Sequence, residues 1–466
     1  MRCIILGAGS VGLQIARSLS EENVQITLVE KNTDIIKNIS SKLDCMVVEG
    51  KVPTPELLRS CGAEQANFFI ACTDSDEVNF LSCGIVASLF PNVKRIARIR
   101  NQEYISDENK VHELLHIDHV VVPEIEACDL IMRSISYGAL SEVYEFLEMD
   151  IQIRDFFVSN DSFACNKHIR DIALSGEEEF LIAIVQRGNQ VYIPKGDYLV
   201  EQGDILYVAA HSRDFDALMK RFGQERKQIQ KVAIIGGGKI GQQIARRLFT
   251  MEGSNSSFLN LRKSSASVCI LDKDIDRCKE LAGMFPRATV LNADISEEDV
   301  FLDEGLEDSD LLLSVTDNQE TNIVVSQYAK TLGIPHVMAL VIRNNYAHIA
   351  NRLGIDVTIN RKTAVVNSIL RHIRGSEQKS FQMIFDGKIA IWEVNIQEDT
   401  RVVGKRIRDI DTWKTGGLIL ALRRSSQKDI ILPRGDEIVF ANDTLAIVAE
   451  KDVIKDISKL FGNGKS

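Results

Sequence analysis

Two glycine-rich segments of this chain have the residue types and the spacing to bind phosphate groups. They are Gly7, Ala8, Gly9, Ser10, Val11, Gly12 and, halfway along, Gly236, Gly237, Gly238, Lys239, Ile240, Gly241. In such a turn the first glycine permits a sharp strand-to-helix reversal, the second lets the backbone approach a pyrophosphate, and the third lets the helix pack on the strand. The unpaired N–H groups at the helix start then attract the phosphates. The simpler alternative is a glycine turn that only packs a helix on a strand.

An acidic residue ends the next apolar run after each turn. Glu30 stands about 20 residues beyond the first turn, where a carboxylate accepts the hydroxyls of an adenosine ribose. Such a carboxylate also repels a 2′-phosphate, which favours NAD over NADP, although the positive charge of neighbouring Lys31 weakens this preference. Asp272 follows a longer gap in the second copy, because residues 252–266 are a polar stretch that we interpret as an inserted surface loop. Arg262 and Lys263 in this loop could alter what enters the second site.

A Thr-Asp pair follows a further apolar run in each copy, Thr73-Asp74 in the first and Thr316-Asp317 in the second. This places the pairs at the carboxyl edge of a parallel sheet, where open α/β sheets bind ligands. They are therefore candidates to contact the ribose or nicotinamide side of a dinucleotide. Capping of the next helix by Asp74 or Ser75 explains the pattern at least as well.

The next apolar run ends in a basic residue in one copy only. Arg98 occupies that place in the first copy and Val341 in the second. Arg98 could pair with a phosphate or with an opposing subunit, and an exposed strand arginine is the competing interpretation. The sequence therefore predicts two sites that are not identical.

These motifs need two sheets to position them. Apolar strands alternating with helix-like stretches predict a doubly wound parallel sheet in each half. Behind each, residues 192–208 match residues 431–448, with Pro and Gly-Asp turns between short β-branched runs that are typical of a small β-rich module. The predicted fold class is α/β: two Rossmann-like doubly wound parallel-sheet domains, each followed by a small α+β C-terminal subdomain, as a tandem repeat.

The expected boundaries are 1–122 for the first nucleotide-binding domain, 123–140 for a linker helix, 141–226 for the first C-terminal subdomain, 229–358 for the second nucleotide-binding domain, 359–378 for a second linker helix, and 379–466 for the second C-terminal subdomain. The apolar faces of the linker helices could transmit a conformational change or simply belong to the core.

Composition excludes some classes of function. The 466-residue chain carries a net charge of −11, which opposes a sequence-independent grip on nucleic-acid phosphates. No apolar run is long enough to span a membrane, and we expect a cytoplasmic protein. The nine scattered cysteines suggest reduced thiols, and His112, His116 and His119 suggest a solvated helix face and no metal site.

The order of these motifs, together with the runs at 72–79, 96–100 and 119–124, resembles the TrkA family of Trk-type potassium uptake systems. That family has tandem regulator-of-K⁺-conductance (RCK) units, each a Rossmann-like part followed by a smaller C-terminal part. The resemblance implies a non-enzymatic subunit, peripheral on the inner face of the membrane, that gates potassium transport in response to NAD(H), ATP or ADP. It also implies a TrkH/TrkG-like membrane transporter as partner, and a homotetramer.

Carried over to this sequence, the resemblance implies nucleotide contacts from Gly7 to Val11, Glu30, Thr73, Asp74 and Arg98, and in the second unit from Gly236 to Ile240, Asp272, Thr316 and Asp317. The alternative from another class is an NAD-dependent oxidoreductase, because a Rossmann fold does not by itself define function. Such an enzyme needs a positioned acid or base near the nicotinamide, and we find no candidate in the sequence.

Overall fold

The computed structural model describes residues 1–21, 24–40, 43–51, 54–105, 111–136, 144–145, 150–173, 179–188, 190–223, 229–250, 267–297, 299–374, 382–385, 388–410, 416–425 and 430–461. The predicted insertion at 252–266, with Arg262 and Lys263, lies outside these residues. The chain forms two compact units, one of Met1–Ala139 with Gln228–Ile373 and one of Leu140–Lys227 with Arg374–Ser466.

The first Rossmann domain is a six-stranded parallel sheet in the order β3-β2-β1-β4-β5-β6. Its strands are β1 (Arg2–Leu6), β2 (Gln25–Glu30), β3 (Met46–Glu49), β4 (Phe68–Ala71), β5 (Lys94–Arg98) and β6 (His119–Val121). Its helices are α1 (Ser10–Glu21), α2 (Thr33–Ser40), α3 (Pro55–Ser60), α4 (Asp76–Leu89) and α5 (Val111–Leu114), and α6 (Pro123–Ser136) follows. All four residues of β4 are buried, as expected for a central parallel strand covered on both faces.

The first C-terminal subdomain has an antiparallel sheet in the order β10-β9-β11-β8-β7. Its elements are β7 (Tyr144–Glu145), β8 (Ile151–Phe157), α7 (Ile169–Ala173), β9 (Phe180–Arg187), β10 (Gln190–Tyr192), β11 (Ile205–His211) and α8 (Phe215–Arg221).

The second Rossmann domain repeats the first, with a parallel sheet in the order β14-β13-β12-β15-β16-β17. Its strands are β12 (Lys231–Ile235), β13 (Ser267–Asp272), β14 (Thr289–Asn292), β15 (Leu311–Ser314), β16 (His336–Val341) and β17 (Val357–Asn360). Its helices are α9 (Lys239–Thr250), α10 (Ile275–Met284), α11 (Val300–Asp303), α12 (Gln319–Thr331) and α13 (Asn344–Arg352), and α14 (Arg361–Arg374) follows.

The second C-terminal subdomain has an antiparallel sheet in the order β18-β19-β22-β20-β21. Its elements are β18 (Gln382–Ile384), β19 (Ile389–Asn395), β20 (Gly417–Arg423), β21 (Ile430–Ile431), β22 (Thr444–Glu450) and α15 (Ile454–Phe461). Both C-terminal sheets contribute to one buried cluster, in which the ring of Tyr207 meets that of Phe385 edge to face at 4.9 Å. The predicted fold class is thus confirmed.

Helices α6 and α14 each pack on the Rossmann domain of the other half. The second Rossmann core includes these apolar side chains of α6: Ala127, Cys128, Ile131, Met132 and Ile135. The first Rossmann core includes these of α14: Val365, Val366, Ile369, Leu370 and Ile373. Full burial of one large aliphatic side chain contributes about 1.5–3 kcal/mol, so each crossing helix is a structural part of the opposite domain. An ion pair between Asp129 of α6 and Arg247 of α9 adds a polar contact.

Two histidines meet where α14 lies against the first Rossmann domain. The rings of His119, on β6, and His372, on α14, stack with centroids 4.0 Å apart and planes 19° from parallel. The expectation that His119 shares a solvated helix face with His112 and His116 is therefore wrong, because His119 belongs to a strand. Burial lowers the pKa of both rings, that of His372 to about 4, with His119 and Arg371 adding to the effect on His372.

None of the described helices is both long and apolar enough to cross a membrane.

The histidine stack predicts a loss of stability in acid. His372 binds its proton more weakly in the folded than in the unfolded protein. Its neutral ring therefore contributes fully to the free energy of unfolding above pH 6.5, and this contribution declines as the pH falls toward 4. Because the ring is partly exposed, we expect a loss of only about 1 kcal/mol at pH 5. In His372→Phe, the dependence of the unfolding free energy on pH between 6.5 and 5 should be shallower than in the wild type. An equal dependence in both proteins would contradict the assignment.

Candidate nucleotide-binding sites

The first glycine turn joins β1 to α1, and two of its three glycines are required by the protein's own packing. Gly7 has a φ of +100°, and a Cβ there would lie 3.1 Å from the backbone of Thr73. A Cβ on Gly12 would lie 2.0 Å from the carbonyl oxygen of Gly7. A Cβ on Gly9, in contrast, would meet no atom within 4 Å. Packing therefore explains why residues 7 and 12 are glycine. It does not explain Gly9, which has open space where a side chain would lie.

The second turn, between β12 and α9, has the same geometry. Gly236 has a φ of +107°, and a Cβ on Gly241 would lie 2.0 Å from the carbonyl oxygen of Gly236. Gly238, like Gly9, has open space at its Cβ position. At Gly237, which replaces Ala8, a Cβ would lie 2.4 Å from Cδ1 of Leu281, so the end of that side chain would have to shift.

Each predicted acidic residue lies against its glycine turn. Glu30, buried at the end of β2, accepts a hydrogen bond from the Ala8 amide at 2.7 Å, and its other oxygen accepts bonds from the amides of Lys31 and Asn32. Asp272, buried at the end of β13, accepts a hydrogen bond from the Gly237 amide at 2.8 Å. Backbone amides thus hold both carboxylates at the rim where an adenosine ribose would lie.

The two Thr-Asp pairs lie at the same edge of each sheet, and the residue that follows each pair caps the next helix. The cap of α4 is Ser75, whose hydroxyl accepts from the Val78 amide, and the cap of α12 is Asn318, which accepts from Thr321. Asp74 is exposed and pairs with Arg100 at 3.1 Å.

A buried asparagine fixes the shape of each Thr-Asp turn. Asn79 accepts hydrogen bonds from the Thr73 amide and hydroxyl, and its side-chain amide donates to the carbonyl oxygen of Arg98 at 2.8 Å. It therefore ties the ends of β4 and β5 together. The Thr73 hydroxyl is engaged within the turn, so any ligand contact by this residue must share that hydroxyl.

The same asparagine clamp recurs in the second Rossmann domain. Asn322 accepts from the Thr316 amide and hydroxyl and donates to the carbonyl oxygen of Leu340 at 2.8 Å. Sequence reasoning did not single out these asparagines. The signal was available, because each asparagine stands six residues after the threonine of its Thr-Asp pair.

Arg98 is a half-buried cation at the end of β5. Its Nε is buried and has no hydrogen-bond partner among the described residues. Burial, and next the neighbouring Arg100, lowers the pKa of its guanidinium, while Asp74 and Glu124 act in the opposite direction. The described part of the second domain has buried Val341 in that place.

The two sites lie close enough to be linked by side chains. Lys239, the first residue of α9, lies with its Nζ 3.5 Å from the carbonyl oxygen of Arg100, and Gln243 donates to Gln102 at 2.9 Å. The helix that begins at the second glycine turn thus contacts the loop that follows β5 of the first domain.

Comparison with known families follows the same division of the chain. The TrkA-N domain model matches residues 3–123 and 232–361, and the TrkA-C domain model matches residues 153–223 and 391–462. The Trk system potassium uptake protein TrkA of Halomonas elongata is 29% identical over 476 residues, which cover 100% of this chain and 99% of that protein. Its namesake in Haemophilus influenzae is also 29% identical, over 99% of this chain and 98% of that protein.

Solved structures give the same fold. The GsuK channel bound to NAD superposes with a TM-score of 0.57 and 18% identity, covering 99% of this chain and 78% of that chain. The GsuK RCK domain superposes with a TM-score of 0.56 and 17% identity, covering 99% and 94%. At these identities the likeness concerns the fold alone. The tandem domain matches confirm the resemblance inferred from the sequence: this chain belongs to the TrkA family.

Proposed function

We propose that this chain is a cytoplasmic, nucleotide-binding regulatory subunit of a Trk-type potassium uptake system. The observation that carries the nucleotide part is the open space at Gly9 and Gly238, between two glycines that packing explains. A backbone left uncovered at a helix start is suited to a pyrophosphate. Two relatives that match almost end to end are named for potassium uptake, and a structure with this fold is described with NAD.

The proposed ligands are NAD(H) and, as competitors, ATP or ADP. The proposed contacts are the two glycine turns, Glu30 and Asp272 for the adenosine ribose, and Arg98 for phosphate in the first site. Thr73, Asp74, Thr316 and Asp317 would form the far rim. Arg98 supports the assignment because its Nε, which has no hydrogen-bond partner within the described parts of the chain, offers a donor to an anion in a partly desolvated place.

The crossing helices offer a physical route from occupancy to a change of shape. The first turn of α1 packs in the cluster that contains α14, and the start of α9 packs in the cluster that contains α6. A nucleotide bound at the start of α1 or α9 therefore contacts a helix that packs in the same core as a crossing helix from the other half of the chain. A ligand shifts such an equilibrium only by its difference in affinity for the two states, and a tenfold difference corresponds to about 1.4 kcal/mol per site.

Potassium flux through a reconstituted Trk-type transporter tests this proposal. We expect flux to depend on this subunit and on NADH, NAD, ATP or ADP. Glu30→Gln and Asp272→Asn should raise the nucleotide concentration for a half-maximal response about tenfold or more, because each removes a charged acceptor of ribose hydroxyls. Glu64→Gln, an exposed change at the opposite end of the sheet, is the matched control. Flux that is equal in all conditions would rule out gating.

The oxidoreductase alternative is separated by a turnover assay run beside a thermal-shift assay. A sensor should melt at a higher temperature with nucleotide and consume none of it. Steady consumption of NADH with any small substrate would favour the enzyme.

Assembly with further copies of the same chain is the second part of the proposal, with a homotetramer as the expected state. Helices α4 and α5 expose Leu81 and Leu114. The equivalent helices α12 and α13 of the second domain expose Val324 and Ile349, and Leu353 directly after α13 is also exposed. Leu114 is 77% exposed and Val324 67%. Leu81 and Leu114 line the same surface depression, and grouped exposed apolar side chains of this kind are typical of protein interfaces. Because the two faces are equivalent by the internal repeat, one can pack on the other in a neighbouring chain and close a ring.

Charge placed on these faces should dissociate the assembly. We expect Leu81→Asp combined with Val324→Asp to reduce the mass measured by light scattering toward that of a single chain. Met284→Asp replaces an apolar residue on α10 that is 49% exposed, and it should leave the mass unchanged. A wild-type protein that is already monomeric, or a double variant with the wild-type mass, would refute this interface.

A further inference from the structure

The two proposed nucleotide-binding sites differ in the charge beside the carboxylate that would bind the ribose. The first socket is the site at the turn from Gly7 to Gly12 with Glu30, and the second socket is the site at the turn from Gly236 to Gly241 with Asp272. In the first socket, Glu30 is held by the backbone amides of Ala8, Lys31 and Asn32. The third residue of helix α2 is Ile35, which packs against the core of the first domain. In the described residues no cationic side chain forms an ion pair with Glu30.

In the second socket an arginine stands in the place of that isoleucine. Arg277, the third residue of α10, lies with Nη1 3.2 Å from Oδ2 of Asp272, the same oxygen that accepts from the Gly237 amide. The other oxygen, Oδ1, accepts from the Asp274 amide at 2.9 Å. The side chain of Arg277 is 41% exposed, so the guanidinium pairs with the carboxylate and still reaches solvent. The negative charge at this position is therefore largely compensated.

The second socket has Arg277 near its carboxylate but, within the part of the chain that the structure describes, lacks the arginine that the first socket has at Arg98. The hydrogen bond to Asp272 is the main cause that raises the pKa of Arg277, and the charges of Asp272, Asp274 and Asp317 act in the same direction. Asp317 follows β15, on the other side of the glycine turn from β13, so Arg277 acts electrostatically across the socket. In the described residues, the first socket has its cation, Arg98, beyond β4, whereas Val341 replaces it in the second.

We propose that the second socket accepts adenosine nucleotides that carry a 2′-phosphate, of the NADP(H) class, whereas the first socket excludes them. This inference rests on the proposed nucleotide-binding function. A bare carboxylate repels a phosphate on the neighbouring ribose oxygen, which is why an acidic residue there selects NAD and an arginine accommodates the 2′-phosphate. Arg277 removes the repulsion of Asp272, and its remaining N–H groups can bind phosphate oxygens with charge assistance.

The test is calorimetric titration of the full-length protein with NADH and with NADPH. We expect two NADH sites per chain and one NADPH site. Arg277→Ile, which copies Ile35, should weaken NADPH binding at least tenfold and leave two NADH sites, whereas Arg277→Lys should retain most NADPH affinity. Lys279→Ala is the matched control, because Lys279 is a cation on the same helix that pairs with Asp276.

The outcomes separate this inference from the function on which it rests. NADH binding at two sites with no NADPH binding, or NADPH binding that Arg277→Ile leaves unchanged, would overturn the inference alone. NADPH binding to both sites would overturn it as well. Failure of both nucleotides to bind would overturn the proposed function together with the inference. Retained NADH binding by Arg277→Ile shows that the variant is folded.

Discussion

The close approach of a helix start to the end of a central parallel strand is the constraint on which both sites depend. At Gly12 and Gly241 the helix lies so near the preceding turn that a Cβ would come within 2.0 Å of a carbonyl oxygen. No side chain can be accommodated at that distance, so this turn conformation requires glycine at both positions. That conformation aims the amides of Ala8 and Gly237 at the buried carboxylates and leaves the backbone at Gly9 and Gly238 uncovered.

Duplication of this turn within one chain has a structural consequence because the connecting helices cross. Helix α6 completes the core of the second Rossmann domain, and helix α14 completes the core of the first. Neither Rossmann domain has a complete core without the other half of the chain. Packed side chains, together with the contacts of Lys239 and Gln243 with the loop after β5, therefore form a continuous physical connection between the two glycine turns.

The parts of this structure that sequence could predict are those in which chemistry demands a residue type. Glycines at a turn, an acid at a strand end and buried apolar runs each have few alternatives, and the fold class and the family followed from them. Where a residue type suits several roles, the sequence did not show which role the residue has. Either Asp74 or Ser75 could have capped α4, and only the folded geometry, in which the Ser75 hydroxyl accepts from the Val78 amide, assigns the cap to Ser75.

Other features of the structure could not be predicted from the sequence for a different reason. An amphipathic pattern shows that α6 and α14 bury a face, but it does not show which domain that face meets. The repeat marks the position of Asn79, but its role as a clamp between β4 and β5 and the role of Arg277 across its turn depend on contacts that a local pattern does not record. The predicted nucleotide contacts and domain boundaries stay predictions.

The most direct measurement of the central claim is the number of NADH molecules bound per chain by wild-type protein, Gly9→Val and Gly238→Val. Because the structure has open space at both positions, each variant should fold and melt within about 3 °C of the wild type. The account predicts two bound molecules for the wild type and one for each variant, since the added side chain fills the place of the pyrophosphate. Folded variants that both bind two molecules with unchanged affinity would contradict it.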